Sequence, residues 1–357
     1  VDGNEKQGVL SLYTHNARVD APLILPEPLV FGSLIGNVSW KKLDYGMEFR
    51  FNKFSVENAD LAGSFSGSYQ TLPQGPGLID LTVHLTHAAI RHAARYTPLI
   101  ALDGEARDWL HHALIDGKSG DFNLRLKGDL RDFPFEEKRN GLFKIEAHAS
   151  DVVIEYANGW PRVERADAQL KIQGRRLEVI APTAMTAGGQ LQNVTVVLPD
   201  MLGSSLLLQV RGSSSGETRH ALNFIRQSPV RGYIDGLTDN ISVTGTGELN
   251  LQLEIPLNED APAVVSGRYH FLDNDVNLGK NRVSVHKMNG DLLFSEASVQ
   301  TKDLTGQILG GPATIALHSS GGGAVRAKVT GRSNVDTLRA LDPHPHPPRA
   351  HPGKFGE

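Results

Sequence analysis

The sequence predicts a mainly β protein, a long curled antiparallel sheet that forms an open hydrophobic groove, with a few short helices. The first observation is alternation: apolar and polar residues alternate in short runs from Leu81 to Gly331, as in residues 79–85, 122–127 and 249–255. Successive side chains of a strand point to opposite faces, so each run forms a ribbon with one apolar side. The second observation is that few helices are available to cover that side.

The size of the sheet limits how its apolar face can be covered. The runs add up to roughly eighteen strands, which at about 4.8 Å apart form a sheet on the order of 85 Å wide. A twelve-residue helix is roughly 18 Å long and 10 Å across, so three short helices cannot hide the apolar face. The sheet must fold on itself as a sandwich or barrel, or curl into a trough whose apolar interior is filled by a ligand.

The elements follow in order along the chain. Residues 8–85 are predicted to form the N-terminal part of the groove, because apolar residues alternate there between Gly and Pro positions. Residues 86–117 are predicted to be a helical insertion of two short helices, the second capped by Asp103 and ended by Gly117.

The strands are predicted to resume over residues 118–341, interrupted by one helix near residues 218–226 that stops before Pro229. Asn289-Gly290 is typical of a type I′ hairpin turn. Residues 342–357 combine five prolines with three histidines, a composition that cannot bury a core, so we expect a disordered tail.

Composition excludes several classes of function. The formal net charge is −4, from 36 basic and 40 acidic residues without a basic block, so nucleic acid is not expected as a partner. The absence of cysteine excludes a disulfide framework, a thiolate zinc site and a cysteine nucleophile, and leaves the compartment open. The chain starts at Val1 without an initiator methionine or a signal-like apolar stretch, which is typical of an internal fragment.

One pattern resembles a catalytic motif. Gly212-Ser213-Ser214-Ser215-Gly216 fits Gly-x-Ser-x-Gly, in which Ser214 would be the nucleophile. The surrounding chain lacks the strand and helix alternation of a hydrolase, and a serine-glycine run is common in loops. We therefore expect Ser214 to be a loop residue and predict no catalytic residue.

Other patterns suggest metal or ligand sites but have simpler interpretations. The five histidines between His84 and His112 do not have the four-residue spacing that places two ligands on one helix face. Asp273 and Asp275 resemble a calcium loop, yet its closing glutamate is missing, so a plain turn is expected. No metal and no cofactor are predicted. Trp109 and Trp160 are expected to be core residues rather than binding-site aromatics.

Two stretches resemble the central region of the YhdP family. The first runs from Arg95-Tyr96-Thr97-Pro98 through Arg107-Asp108-Trp109-Leu110 to Leu126–Phe135, and the second contains Tyr156-Ala157-Asn158-Gly159-Trp160-Pro161 and Ala168–Gly174. Thr97 departs from the apolar residue that usually precedes this proline. The resemblance is specific over residues 95–180 and looser over residues 8–341.

The resemblance implies an AsmA-like envelope protein of Gram-negative bacteria, located in the periplasm and anchored in the inner membrane. It also implies that a β-groove carries phospholipid between inner and outer membranes, which regions outside this chain would contact. We expect the following side chains to bind lipid: Leu81, Val83, Leu85, Phe122, Leu124, Leu126, Phe143, Ile145, Leu170, Ile172, Leu206, Leu208, Leu249, Leu251, Leu253, Tyr269 and Phe271. The alternative is a β-sandwich interaction or scaffold protein of the cell envelope.

Overall fold

The computed structural model describes residues 1–99, 101–135, 141–233, 238–258, 261–279, 284–319 and 326–333. Eighteen strands dominate this part of the chain: β1 Asp2–Gly3, β2 Gln7–Val19, β3 Leu29–Leu43, β4 Gly46–Glu57, β5 Leu61–Gln70, β6 Leu78–Ala89, β7 Leu114–Asp129, β8 Gly141–Ile154, β9 Val163–Gln173, β10 Arg176–Thr186, β11 Gly189–Leu198, β12 Leu207–Glu217, β13 Ser242–Pro256, β14 Val264–Asn277, β15 Ser284–Ser295, β16 Val299–Ile308, β17 Gly311–His318 and β18 Arg326–Gly331. Its α-helices are α1 Ala93–Tyr96, α2 Gly104–Ala113, α3 Thr218–Arg226 and α4 Val230–Tyr233.

All eighteen strands belong to one antiparallel sheet, in which each strand pairs with the strands before and after it in sequence. The sheet is curled and not closed, so the predicted mainly β groove is confirmed. The described residues form no second sheet that could cover it as a sandwich.

The architecture repeats every six strands. Helices follow β6 and β12, and short connections of two or three residues follow β4, β10 and β16. A left-handed backbone residue occurs near the end of β2, β8 and β14, at Asn16, Asp151 and Asp273 with φ of 56°, 54° and 52°. The described sheet therefore consists of three similar units, β1–β6, β7–β12 and β13–β18.

The core lies along one long edge of the sheet, which we call the helical rim. It is the edge where even-numbered strands end, odd-numbered strands begin and the helices are inserted. Shifts in strand register lie close to this edge, and such bulges bend and twist strands. Three buried clusters lie there, one per unit: Leu29, Phe31, Val56 and Leu61; Val152, Ala166 and Ala184; Val285, Met288, Leu304 and Ile315.

The helical segments agree with the sequence in their position and differ in detail. The helix α3 spans Thr218–Arg226 as expected, and Asp103 caps α2 by accepting a hydrogen bond from the Ala106 amide at 2.8 Å. Gly117 does not end α2: the helix stops at Ala113, and Gly117 lies within β7 at a φ of 134°. The first helical segment starts with a 3₁₀ turn at Ile90–His92, and its last helix, α2, ends at Ala113.

The predicted hairpin at Asn289-Gly290 was wrong. Both residues lie inside β15, where the register against β16 shifts and Gly290 has a φ of 123°. The same residue types that favour a turn also favour a bulge, because both need a backbone conformation that ordinary side chains avoid. None of the helices in the described residues has the length and apolar character to cross a membrane. The predicted tail lies outside the described residues.

Candidate functional site

One face of the sheet carries continuous apolar rows that cross the strands. Directly opposite residues of antiparallel strands point to the same side of a sheet, so the register of the strands shows which residues share a face. One row crosses nine strands from β6 to β14, at Leu85, Phe122, Ala147, Leu170, Val179, Val196, Val210, Leu253 and Val265. We call the side that carries this row the groove face.

A second row extends the groove face to the first unit. It crosses seven strands from β2 to β8, at Leu10, Val38, Phe51, Gly67, Leu81, Leu126 and Phe143. The predicted set of lipid-binding residues starts at Leu81 and misses the part in β2–β5. The signal was present, since the residues of these strands alternate too, but alternation within one strand does not tell which face joins that of the next.

The structure places sixteen of the seventeen predicted lipid-binding residues on the groove face. Val83, Leu124, Ile145 and Ile172 form a row between the two described above. Leu249 lies opposite Tyr269, and Phe271 lies two residues further along the same strand. Leu206 is the one member outside a strand, immediately before β12. Whether these side chains bind lipid stays a prediction.

The groove face is incompletely covered. Of the predicted residues only Tyr269, 8% exposed, is buried, and the others keep part of their surface in contact with solvent. Core side chains between two packed sheets would be buried much more completely, because sheets that pack face to face interdigitate. The partial exposure agrees with an open trough and not with a closed sandwich.

Charges lie on the opposite side of the sheet, the outer face. Asp80 pairs with Arg125 at 2.5 Å and with Lys127 at 3.5 Å, and all three alternate with groove-face leucines. The hydrogen bond from Arg125 lowers the pKa of Asp80, and the nearby charges of both basic groups add to this effect. The residues in the rows named above carry no charge. These rows of the groove face are therefore neutral as well as apolar.

A polar network fastens the first helical segment to the helical rim. The Asp60 carboxylate, in the β4–β5 turn, accepts hydrogen bonds from His92 Nδ1 at 2.6 Å, Arg95 Nη1 at 2.8 Å and the Tyr96 hydroxyl at 2.8 Å. Burial on its own would raise the pKa of Asp60, but the hydrogen bonds from Tyr96 and His92 outweigh it and the pKa is lowered. Burial raises the pKa of Tyr96 to about 12. The network holds α1 over the ends of β4 and β5.

A second network fastens α3. Thr218, the first residue of α3, donates a hydrogen bond to Asn274 Oδ1 at 2.5 Å and accepts one from the Tyr269 hydroxyl at 2.9 Å. Asn274 is completely buried and donates through Nδ2 to the Thr246 carbonyl at 2.6 Å. Burial raises the pKa of Tyr269. This network ties the helix to β13 and β14.

Aromatic side chains connect the two helical segments along the rim. Trp109 Nε1 of α2 donates to the Tyr156 carbonyl at 3.0 Å, and Trp160 lies between Tyr156 and Phe224 of α3, with ring centroids 6.2 and 5.9 Å away. Trp109 is 49% exposed, so the prediction that it is a core residue was wrong. Its indole instead joins α2 to the β8–β9 connection. These contacts connect α2 to α3 along the helical rim.

The residues of the apparent catalytic motif have another role. Ser214 does not lie in a loop: it is part of β12, opposite Leu249, and therefore stands on the groove face. Its neighbour Ser213 donates to the Gln192 carbonyl at 3.2 Å. The run is a strand because it continues the β12–β13 ladder, a non-local pairing that its composition does not reveal.

The residues of the possible metal-binding motifs lie apart from one another in the structure. Asp273 and Asp275 lie in β14 rather than in a turn, and Asp275 accepts a hydrogen bond from the Lys287 amide at 3.0 Å. His92 is held by Asp60, whereas His84 lies on the outer face beside Asn123, 2.9 Å away. Over the described ranges, His, Asp and Glu do not form a group of three or more that could hold a metal ion.

Comparison with known proteins gave one match. A model of the protein family described as YhdP protein matches residues 1–351. No curated protein and no solved structure matches the chain.

Proposed function

The chain belongs to the YhdP family, and from this membership we propose that it is a segment of a bridge-like phospholipid transporter that carries lipid along the groove face. The observation that carries the proposal is the uncharged apolar row that crosses nine strands from Leu85 to Val265 on an incompletely covered face. A large exposed apolar surface is costly in water and typical of a surface that binds a ligand or partner. An acyl chain matches this surface in polarity.

In the proposed mechanism, acyl chains lie on the groove face while headgroups stay in water at the edge opposite the helical rim. The hydrophobic effect stabilises this arrangement, because each CH₂ group that leaves water contributes about 0.8 kcal/mol. Neighbouring rows offer equivalent apolar contacts, so a lipid that moves from one strand to the next exchanges one set of contacts for a similar one. Movement along the groove then avoids exposing the chains to water.

The helices and polar networks of the helical rim support a directional arrangement of the lipid. The helical segments and the networks around Asp60 and Thr218 hold one edge of the sheet together. In the proposal a headgroup, which needs water or polar partners, lies at the other edge. No bond is made or broken in this proposal, and the family is not an enzyme family.

The wider setting is also part of the proposal. A transporter of this kind would work in the periplasm, anchored in the inner membrane, with the inner and outer membranes contacted by regions outside this chain. Phospholipid is the proposed partner of the groove face. The outer face, with its paired charges, would stay in water.

Extraction of lipid tests the proposal directly. The chain is purified without detergent and extracted with organic solvent, and phospholipid per protein is measured by mass spectrometry against a soluble protein of similar size handled in the same way. We expect phospholipid well above that reference. Lipid-free protein that also takes up none from vesicles would contradict the proposal and favour the scaffold alternative.

A further inference from the structure

Four glycines on the groove face each lie beneath an aromatic ring of a neighbouring strand. A Cβ atom built on Gly267 would stand 2.1 Å from Cζ of Phe294, and one on Gly247 would stand 2.5 Å from the Tyr269 hydroxyl. The other two pairs are Gly36 with Phe54, at 2.6 Å, and Gly8 with Trp40, at 2.3 Å. Carbon atoms in contact are normally about 3.5–4.0 Å apart, so each ring occupies the space of a side chain that is absent.

The backbone does not require glycine at these positions. Their φ angles lie outside the left-handed region, unlike those of Gly67 or Gly290 in the same sheet. At Gly267, Gly247 and Gly36 the three nearest atoms to an added Cβ all belong to the ring. The ring alone therefore excludes a larger residue, and replacing the ring should make a larger residue acceptable.

Two of the four rings lie low in the sheet. Phe54 is 5% and Tyr269 8% exposed, whereas Trp40 and Phe294 are half-buried. A ring that lies across a glycine is pressed against the backbone of the next strand and does not project as far as a ring above a side chain. Such pairs in antiparallel sheets protect the glycine backbone as well.

The pairs occur where the groove face is rich in aromatic residues. They lie in the first unit, in β2–β4, and in the third, in β13–β15. The middle unit is lined mainly by aliphatic side chains, with Phe122 and Phe143 as its aromatic members on the rows described above. Its Gly212 meets Val194 at 3.2 Å and no ring, whereas its Gly141 meets Phe135 but has a positive φ of 157°. Aromatic side chains are larger than aliphatic ones. Without the glycines, the rings of the first and third units would therefore project further into the groove.

We propose that these four glycines set the depth of the groove, by letting aromatic rings lie flat so that lipid passes the first and third units at the level of the mainly aliphatic middle unit. This inference rests on the proposed function. The glycines are positioning residues, which act through the rings. A methyl group on Gly267 must displace the Phe294 ring by more than about 1 Å to restore normal contact, and the free direction is into the groove.

The test compares variants of the whole chain for uptake of phospholipid from vesicles of phosphatidylethanolamine and phosphatidylglycerol. Gly267→Ala is expected to lose bound lipid. Gly120→Ala is the matched control, because a Cβ on this β7 glycine meets nothing within 4 Å. In Gly267→Ala combined with Phe294→Leu, the ring atoms nearest the new methyl are gone, so uptake should return to the wild-type amount. Circular dichroism melting reports folding in every sample.

Each outcome of this test either supports or contradicts the inference. Gly267→Ala that binds as much lipid as wild type overturns the inference, and so does a folded double variant that fails to regain uptake. If Gly267→Ala does not fold, the inference requires that the double variant folds and binds lipid. A double variant that also fails to fold would show that the backbone needs glycine at position 267, and the inference would be wrong. Wild-type protein that takes up no lipid would count against the proposed function itself, a result distinct from all of these.

Discussion

Leu124 lies directly opposite Val83 across the β6–β7 pair, whereas the preceding residue of its strand, Asn123, lies opposite His84 on the other face. The two faces that meet at this point differ sharply in polarity. Asn123 Oδ1 is 2.9 Å from His84 Nδ1, in contact with solvent, while Leu124 belongs to an uncharged row. The separation of the two faces provides matched pairs of positions for testing the groove.

The first prediction concerns charge on the groove face. Leu124→Asp and Leu251→Asp should remain folded but lose bound phospholipid, because the carboxylate must be desolvated against acyl chains or keep water in the groove. Their unfolding free energies should fall by up to about 3 kcal/mol. Lipid extraction and circular dichroism melting measure the two effects.

Asn250→Asp is the control for that experiment, since Asn250 is exposed on the outer face next to Leu251. Asn123 is less suitable, because it donates to Asp121 at 2.6 Å and a carboxylate there would meet a like charge. Loss of cooperative melting in both leucine variants would indicate a closed core and contradict the open groove.

The second prediction concerns Ser214. Ser214→Ala should leave folding, lipid content and any background ester hydrolysis unchanged. Ser214 is a strand residue opposite Leu249, and we do not expect its hydroxyl to act as a nucleophile. Melting curves, lipid extraction and an assay with a chromogenic ester provide the measurements. An esterase activity that disappears with this single substitution would show that the chain is an enzyme.

The third prediction concerns the Asp60 network. Asp60→Asn replaces a buried carboxylate that accepts three side-chain hydrogen bonds, so the attachment of α1 should weaken by about 1–3 kcal/mol. Amide hydrogen exchange of residues 93–96 measures this local stability. Exchange equal to that of wild type at neutral pH would show that the network does not hold the helix.

The same network predicts a dependence on pH. The pKa of Asp60 is lowered from 3.8 in the folded protein, so the folded state binds fewer protons there than the unfolded state. Its stabilisation is complete above the unfolded pKa and is lost as the pH falls through the folded pKa. The difference between wild type and Asp60→Asn should therefore shrink from about pH 7 to about pH 3, and a difference that grows on acidification would contradict this assignment.

The fourth prediction concerns Thr218. Thr218→Val keeps the shape of the side chain but leaves Asn274, which is completely buried, without one hydrogen-bond donor. Such a loss costs about 1–3 kcal/mol, and faster amide exchange in α3 should report it. Ser242→Ala, at an exposed position in β13, serves as the comparison. Equal protection of α3 in both variants would mean that the hydrogen bond to Asn274 does not fasten the helix.

The sequence by itself determined the strands and their two-sidedness. Alternation such as that of Leu249, Leu251 and Leu253 depends only on neighbouring residues, since successive side chains of any strand point to opposite faces. The helix Thr218–Arg226 was predictable for the same reason, because its apolar period and the following Pro229 are local signals.

The tertiary structure alone decided which faces join and where strands bend. Register is a property of hydrogen bonds between distant segments, so Gly267 beneath Phe294 and Ser214 opposite Leu249 cannot be read from either strand alone. Asn289-Gly290 shows the same limit, since a turn and a bulge use the same local conformations and the pairing partner selects between them. The groove depends on many such pairings between distant segments. Its continuity across the strands therefore cannot be predicted from local sequence.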